Sequence, residues 1–209
     1  MFATTNLATD GVGDRSNGHT NSRVARLHMR KPNLEEWTAW AIKNNVDGSL
    51  LAWVQSRPDL FQSYTDFNVS SVKDDSESVL HYIFSPQTGN TKTYVAPRTL
   101  KLASNQMKSV ESLGWSLTSI CLAGTFGKKA ALDFEAYAKL GLELPNFDDV
   151  LAKPETTPIP KDNMAKLVFV YRSLNYIRKP EDIENYMTYM RRFNNTELVV
   201  TWVRSGIIS

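Results

Sequence analysis

The segment that begins at Pro97 constrains the fold of this chain more than any other part of the sequence. A proline suits the first turn of a helix, because the N–H that it lacks has no intrahelical partner there. Large apolar residues then recur at spacings of three, four or seven, which place them on one helix face: Leu100, Met107, Val110, Leu113, Leu117 and Ile120. We therefore predict one long helix from Pro97, with this stripe packed in a core.

Helical signals also occur on both sides of this segment. Asn33 and Glu36 have the spacing of a capping box, in which each side chain bonds the backbone N–H of the other residue. The other predicted helices are Ser49–Gln55, Lys128–Leu140 with Gly141 as its C-cap, a helix carrying Leu167 to Ile177, and a helix after Pro180. The pattern predicts a mainly α fold with a helical-bundle core.

One part of the sequence has a β pattern. Val79–Phe84 and Thr91–Val95 are rich in β-branched and aromatic residues, and Pro86, Gly89 and Asn90 lie between them. Such runs on either side of a Pro/Gly/Asn turn favour a strand pair. We therefore expect a small β-hairpin beside the helical core.

The chain divides into an arm, a core domain and a C-terminal extension. Residues 1–32 are rich in Thr, Asn, Ser and Gly, and such a segment buries too little apolar surface to offset its ordering entropy. The second half of this flexible arm is basic, with Arg15, Arg23, Arg26, Arg30 and Lys31. It is either a solvated tail or a segment that orders on a partner.

The core domain is predicted to span residues 33–196 and to include a proline-rich connector at 143–162. The last segment, 197–209, is apolar and β-branched. It is predicted to form a strand, or a docking segment that covers a neighbouring molecule.

Composition alone excludes few classes of protein. The 209 residues, 42% of them hydrophobic, are enough for one full core. The net charge of +2 does not imply nucleic acid, because the distribution of charge matters more than its sum. No stretch approaches the apolar length of a membrane span, and the N-terminus lacks the charged start and apolar block of a secretory signal. We expect no membrane partner.

The residues that usually carry catalysis are isolated in this sequence. His19, His28 and His81 have no spacing that would place two metal ligands on one helix face. Cys121 cannot form an internal disulfide, and we interpret it as a small buried hydrophobe, although a histidine brought near by the fold would make it a nucleophile. We predict no catalytic residue, no metal site and no cofactor.

Two lysines at a helix start offer a site for a phosphate. Gly124 and Gly127 are too close together for a nucleotide-binding P-loop, and no hydroxyl follows the lysine. Lys128 and Lys129 nevertheless stand where free backbone N–H groups and the helix dipole favour an anion. The alternative is a capped turn with two solvated lysines.

Asp133 lies in an apolar helical setting, where an unpaired carboxylate is costly. Arg98 opens the preceding predicted helix, so the two residues would meet if the helices packed antiparallel. Such a pair orients the guanidinium for a phosphate or a base. The alternatives are a purely structural ion pair, or an Asp133 that faces water.

Two short motifs resemble the coat proteins of flexuous filamentous plant viruses, of the potexvirus, carlavirus and potyvirus type. Those proteins carry a basic–aromatic–Ala–small–Phe–Asp–x–Phe motif, and the stretch from Lys128 to Phe134 is similar to it. They also place Pro-Arg at the start of a long helix upstream, as Pro97 and Arg98 do here. The resemblance covers about residues 96–140.

The resemblance implies a viral coat protein or nucleoprotein that polymerises helically and packages single-stranded RNA in a basic groove. Arg98 and Asp133 would line that groove, and Lys101, Lys128 and Lys129 complete the predicted RNA-binding set. The terminal arms would contact neighbouring copies, in the virion and the host cytoplasm.

Three other interpretations stay open. The chain could be the nucleoprotein of a segmented negative-strand virus. It could be a non-enzymatic interaction protein without polymerisation, such as a silencing suppressor or an adaptor. An enzyme of the esterase or transferase type ranks last, because no catalytic motif supports it.

Overall fold

The protein is mainly α-helical, as predicted. The structure, a computed structural model, describes residues 23, 25, 27, 30–66, 79–85, 93–177 and 179–208. Within these ranges the chain forms nine α-helices: α1 (Leu34–Lys43), α2 (Gly48–Ser56), α3 (Pro97–Met107), α4 (Val110–Phe126), α5 (Lys128–Leu142), α6 (Phe147–Ala152), α7 (Asn163–Tyr176), α8 (Pro180–Arg191) and α9 (Thr196–Ile208). No helix in the described ranges is long and apolar enough to cross a membrane.

Helix α7 is the central element, because residues of this helix belong to two hydrophobic clusters. Val168 and Tyr171 pack with buried residues of α1 to α5, which we call the first cluster. Phe169 and Val170 pack with buried residues of α6, α8 and α9, which we call the second cluster. Helix α7 packs most extensively on α2 and also contacts α5 and α9.

Local capping explains where the first two helices begin. The capping box is confirmed: Glu36 donates its backbone N–H to Asn33 Oδ1 at 2.8 Å, and Asn33 donates its own to Glu36 Oε2 at 3.0 Å. The carboxylate of Asp47 caps α2 by accepting from the backbone N–H of Ser49 and Leu50. Side-chain caps thus satisfy N–H groups that lack intrahelical partners.

A glycine allows α2 and α7 to approach each other closely. A Cβ at Gly48 would lie 2.4 Å from Arg172 Cα and 2.5 Å from Arg172 N, far inside van der Waals contact. Because both atoms belong to the backbone of α7, a side-chain rotation could not relieve the overlap. The contact between these two helices therefore requires glycine at this position.

The single long helix predicted from Pro97 is wrong. The chain instead forms α3, which ends at Met107, and α4, which begins at Val110. Inside α4, Gly114 has φ +74° and ψ +159°, a conformation that glycine adopts far more readily than other residues. The chain therefore changes direction twice where the sequence suggested a straight helix.

The kink at Gly114 decides which residues of α4 enter the core. Leu100 and Met107 of the predicted stripe are buried, but Leu113, Leu117 and Ile120 are 46%, 54% and 66% exposed. Beyond Gly114 the buried positions are Thr118, Leu122 and Phe126. Cys121 is exposed as well, so its interpretation as a buried hydrophobe is wrong.

The predicted β-hairpin is also wrong, because no described residue lies in a strand. Val79–His81 forms a 3-10 turn, and Val79, Tyr82 and Ile83 are all buried, a spacing that suits a turn better than alternating strand faces. One backbone hydrogen bond of 2.6 Å, from Val95 N–H to Tyr82 O, joins the two predicted strands. The predicted turn at 86–90 lies outside the described residues.

Two residues of the predicted arm contact the helical domain. Arg30 donates to Glu36 at 2.7 Å, and Lys31 Nζ donates to the carbonyl oxygens of Leu60 at 2.7 Å and Gln62 at 3.3 Å. Two of the five cations assigned to the arm are therefore part of the domain. Most of the predicted arm, including residues 1–22, lies outside the described residues.

The predicted C-terminal strand is instead helix α9. Leu198, Trp202 and Ser205 are buried, and the helix contacts α7, α8 and α1. Docking on a neighbouring molecule stays a prediction, and it would use the outer face, where Val200 and Val203 are exposed. The connector 143–162 is not wholly irregular, because it contains the short helix α6.

Candidate nucleic-acid interface

Asp133 is paired, but its partner is Arg57 rather than Arg98. Asp133 Oδ2 accepts from Arg57 Nη1 at 2.7 Å and from the indole Nε1 of Trp53 at 3.1 Å. Both donors lie on or just after α2, which packs on α5. The predicted Arg98–Asp133 pair is therefore wrong, since α2 rather than α3 supplies the partner.

Arg57 is held on three sides. Its Nη1 bonds Asp133, its Nε approaches Asp59 Oδ1 at 3.4 Å, and its guanidinium carbon lies 4.5 Å from the ring centre of Tyr82. Burial acts to lower the pKa of Arg57, but the Tyr82 side chain and the Asp59 carboxylate outweigh it and raise that pKa above its ordinary value. The guanidinium therefore stays charged in a fixed orientation.

The first turn of α5 brings a second cation to the same ring. Lys129 is exposed, and its Nζ lies 5.1 Å from the ring centre of Tyr82. Lys129 and Asp133 are four positions apart, so they share a face of α5. Arg57, Tyr82, Lys129 and Asp133 form what we call the Tyr82 cluster.

The N-terminus of α5 has no side-chain cap among the described residues. Lys128 in the first turn of this helix is exposed. Gly127, with φ +93°, precedes it, and a Cβ there would lie 3.0 Å from Thr93 O. N–H groups without a side-chain cap favour an anion beside two lysines, so a phosphate at this helix end stays a prediction.

A row of aromatic rings continues from the Tyr82 cluster. The ring centres of Tyr64 and Phe84 lie 5.9 Å apart, and those of Phe84 and Tyr94 lie 5.2 Å apart. The backbone bond between Val95 and Tyr82 fixes this row against the cluster. Tyr94 is 39% exposed, so part of its ring is open to a stacking partner.

The other two predicted residues lie in different settings. Arg98 is exposed in the first turn of α3, four positions after Tyr94. Lys101 instead contacts the C-terminal end of α1: its Nζ donates to Asn44 O at 2.7 Å and lies 5.9 Å from the ring centre of Trp40. The structure therefore gives Lys101 a different neighbourhood from Lys128 and Lys129.

Two members of the Tyr82 cluster were missed by sequence reasoning. The sequence alone assigns no role to Arg57, and it places Tyr82 only within the predicted strand Val79–Phe84. A usable signal did exist, because a carboxylate in an apolar helix needs a cation, and Arg57 follows the most apolar helix in the first half of the chain.

The arrangement suits phosphate and base binding rather than metal chemistry. No group of three His, Cys, Asp or Glu side chains in the described part of the chain could hold a metal ion. Ammonium and guanidinium groups attract phosphates irrespective of sequence, and exposed aromatic rings stack on bases. No protein-family model, curated protein or solved structure matches this chain.

Proposed function

We propose that this protein is a coat protein or nucleoprotein that binds single-stranded RNA and polymerises along it. The observation that carries the proposal is the Tyr82 cluster, where Arg57 and Lys129 flank one ring beside the aromatic row. The role is structural rather than catalytic. Its locations would be the virion and the host cytoplasm.

The RNA part of the proposal rests on charge and stacking. Lys128, Lys129 and Arg57 would contact phosphates, and Tyr94 would stack on a base. Asp133 would act indirectly, by holding Arg57 through the 2.7 Å bond. Arg98 would extend the surface along the strand, since it follows Tyr94 closely in the chain. Cations and aromatic rings of this kind bind single strands with little base preference.

The outer face of α4 supports the assembly part of the proposal. Leu117, Ile120, Cys121 and Gly124 are exposed at helical spacing beyond the kink, and Leu113 is exposed before it. No charged residue occurs between Glu111 and Lys128. Contiguous exposed apolar surface is uncommon on monomeric proteins. Copies that present an uncharged face do not repel each other there, and a repeated heterologous contact builds an open helix.

Binding to RNA is tested by a salt series. The chain is freed of nucleic acid and titrated with a labelled single-stranded RNA, by fluorescence anisotropy. Replacing Lys128 and Lys129 by Ala should reduce the slope of log K against log salt by about 1.4, or about 0.7 for each lost phosphate contact. A double variant of the exposed Lys153 and Lys161 is the matched control. Equal effects of the two double variants would refute the assigned interface.

Polymerisation is tested by light scattering and negative-stain microscopy after RNA is added. We expect salt-sensitive filaments or rings, and we expect Leu117→Glu to prevent them. Ile183→Glu is the matched control, because Ile183 is also an exposed apolar residue on a helix. A monodisperse monomer that does not bind RNA would refute the proposal. RNA binding without assembly would favour the interaction-protein alternative.

A further inference from the structure

A cleft lies at the opposite end of α5 from the Tyr82 cluster. It has a volume of about 630 Å³ and is lined by the ends of several elements, including α5 at Leu142 and α7 at Tyr176. Pockets of ~300–1,000 Å³ are typical for small ligands. Because α5 has 15 residues, the two sites are separated by about 20 Å at ~1.5 Å per residue.

Glycines bring an arginine into the cleft. A Cβ at Gly141 would lie 2.7 Å from Ser49 Oγ, so the glycine allows α2, α5 and α7 to converge. Arg172 of α7 lines the cleft, and its Nη1 donates to Gly141 O at the C-terminal end of α5. That bond fixes the guanidinium in place, while its remaining N–H groups supply further donors.

The balance of charge around the cleft favours an anion. Arg172 and the exposed Lys108 line it, and Lys101, which bonds Asn44 O, lies close enough to Lys108 for that charge to act on it. Burial and the neighbouring charge of Lys108 lower the pKa of Lys101. The carboxylate that lines the cleft, Asp47, accepts two backbone N–H groups of α2. Burial raises the pKa of Asp47, although the nearby charge of Arg172 acts in the opposite direction.

An exposed aromatic ring forms one wall. Tyr176 is 44% exposed, and its ring stacks on Phe147 with centres 4.8 Å apart and an angle of 24°. Its hydroxyl donates to Asp148, which fixes the ring on a second side. The amides of Asn45 and Asn146 lie in the same lining. A rigid ring face beside amide groups suits a flat heterocycle with polar edges.

We propose that this cleft binds one nucleotide, with the base against Tyr176 and the phosphate at Arg172 and Lys108. The inference goes beyond the proposed function and does not rest on it, because a free nucleoside monophosphate would satisfy the same groups. The nucleotide has two possible sources, a free molecule or one unit of an RNA strand.

The test is calorimetric titration of the full chain with UMP, AMP, uridine and ribose 5-phosphate. UMP and AMP bind, whereas uridine and ribose 5-phosphate each bind about tenfold more weakly, because each lacks half of the recognised groups. Absence of saturable UMP binding overturns the proposal. So does equal affinity for UMP and either fragment.

Variants separate the base contact from the phosphate contact. Tyr176→Leu lowers UMP affinity to the level of ribose 5-phosphate, and Tyr176→Phe, which keeps the ring, restores it. Lys108→Ala weakens UMP but not uridine, whereas Lys161→Ala changes neither. If Tyr176→Leu binds UMP as well as the parent chain, the assignment is wrong. Arg172 is left unchanged, because its guanidinium also bonds Gly141 O and so joins α7 to α5.

Competition between UMP and an RNA strand identifies the source of the nucleotide. It also distinguishes nucleotide binding in the cleft from the proposed RNA-binding function. An RNA strand that displaces UMP supplies the nucleotide itself, and simultaneous binding of both identifies a free nucleotide as the ligand. Salt-sensitive RNA binding without any UMP binding would overturn only the cleft assignment. UMP binding without RNA binding would overturn only the proposed function.

Discussion

At the scale of single residues, the carboxylate of Asp133 joins Trp53, a buried member of the first cluster, to the partly exposed Arg57. It accepts from Trp53, which is fully buried and stacked on Phe126, and from Arg57 at the end of α2. Its own side chain keeps 34% of its surface exposed. A partly exposed carboxylate that satisfies a buried indole N–H therefore ties the Tyr82 cluster to the hydrophobic core.

Replacing Asp133 by Ala should lower the free energy of unfolding by about 1–2 kcal/mol, because the Trp53 N–H would lose its acceptor in a buried setting. The measurement is urea denaturation followed by circular dichroism. In a Trp53→Phe background the same substitution should cost less, since no indole N–H remains. Equal costs in both backgrounds would show that the indole bond contributes nothing.

Lys31 should titrate near neutrality. Burial lowers its pKa to about 8, with the nearby Asp66 acting in the opposite direction. The folded state therefore releases this proton before the unfolded state, and the contribution of Lys31 to stability rises as pH increases from about 8 towards 10.5. Resonances of the Lys31 side chain followed by NMR measure the pKa directly. A midpoint near 10.5 would contradict the prediction.

At the residue scale, the sequence indicated that the Asp133 carboxylate should be paired, but it did not identify Arg57 as the partner. The apolar helical setting indicated that this carboxylate would be costly unless it were paired or faced water. The choice between Arg98 and Arg57 depends on which helix packs on α5, and local spacing does not carry that information. Arg57 lies 76 positions from Asp133, so only the tertiary fold brings them together.

In helix α4, one glycine determines where the helix bends. Gly114 has φ +74°, and a Cβ there would meet nothing within 4 Å. Any penalty for a side chain at this position is therefore conformational rather than steric. Gly124 in the same helix also has open space but no positive φ.

The two glycines should respond oppositely to alanine. Gly114→Ala should destabilise the fold by about 1–2 kcal/mol, because the backbone conformation is strained for an L-residue. Gly124→Ala should stabilise it by up to about 1 kcal/mol, because alanine loses less backbone entropy in a helix interior. Thermal unfolding of both variants tests the pair. A stabilised Gly114→Ala would mean that the kink is not required.

Local sequence patterns predicted where most helices begin. They did not predict the positions at which the backbone conformation departs from a regular helix or strand. The capping box of α1 and the proline at α3 were visible in sequence because each acts within four residues. The kink at Gly114 was not, since an isolated glycine inside an apolar stripe is compatible with a straight helix. The 3-10 turn at Val79–His81 was missed because β-branched and aromatic residues also fill buried turns.

At the scale of the whole molecule, α7 makes the two clusters interdependent. Val168 faces the first cluster and the adjacent Phe169 faces the second, and both are fully buried. If α7 detached from one cluster, apolar residues of the other cluster would also become exposed to solvent. The sequence predicted the helix itself, but not that it serves two cores, because its apolar residues fit one broad stripe.

The described domain should therefore unfold as one unit. Phe169→Leu, which alters the second cluster, should lower the opening free energy of the slowest amides in both α2 and α8 by about 1 kcal/mol. Hydrogen exchange read by mass spectrometry gives both values in one experiment. Exposed Ile183→Leu is the control and should change neither. A decrease confined to α8 would show that the two clusters unfold separately.

Helix α4 carries buried and exposed positions interleaved along its length. Thr118, Leu122 and Phe126 are buried in the chain's own fold, whereas Leu113, Leu117 and Ile120 are exposed. The exposed residues could become polar at little cost to folding, whereas the buried ones could not. Under the proposed function, polar drift confined to the exposed set would therefore mark a lineage in which copies no longer assemble.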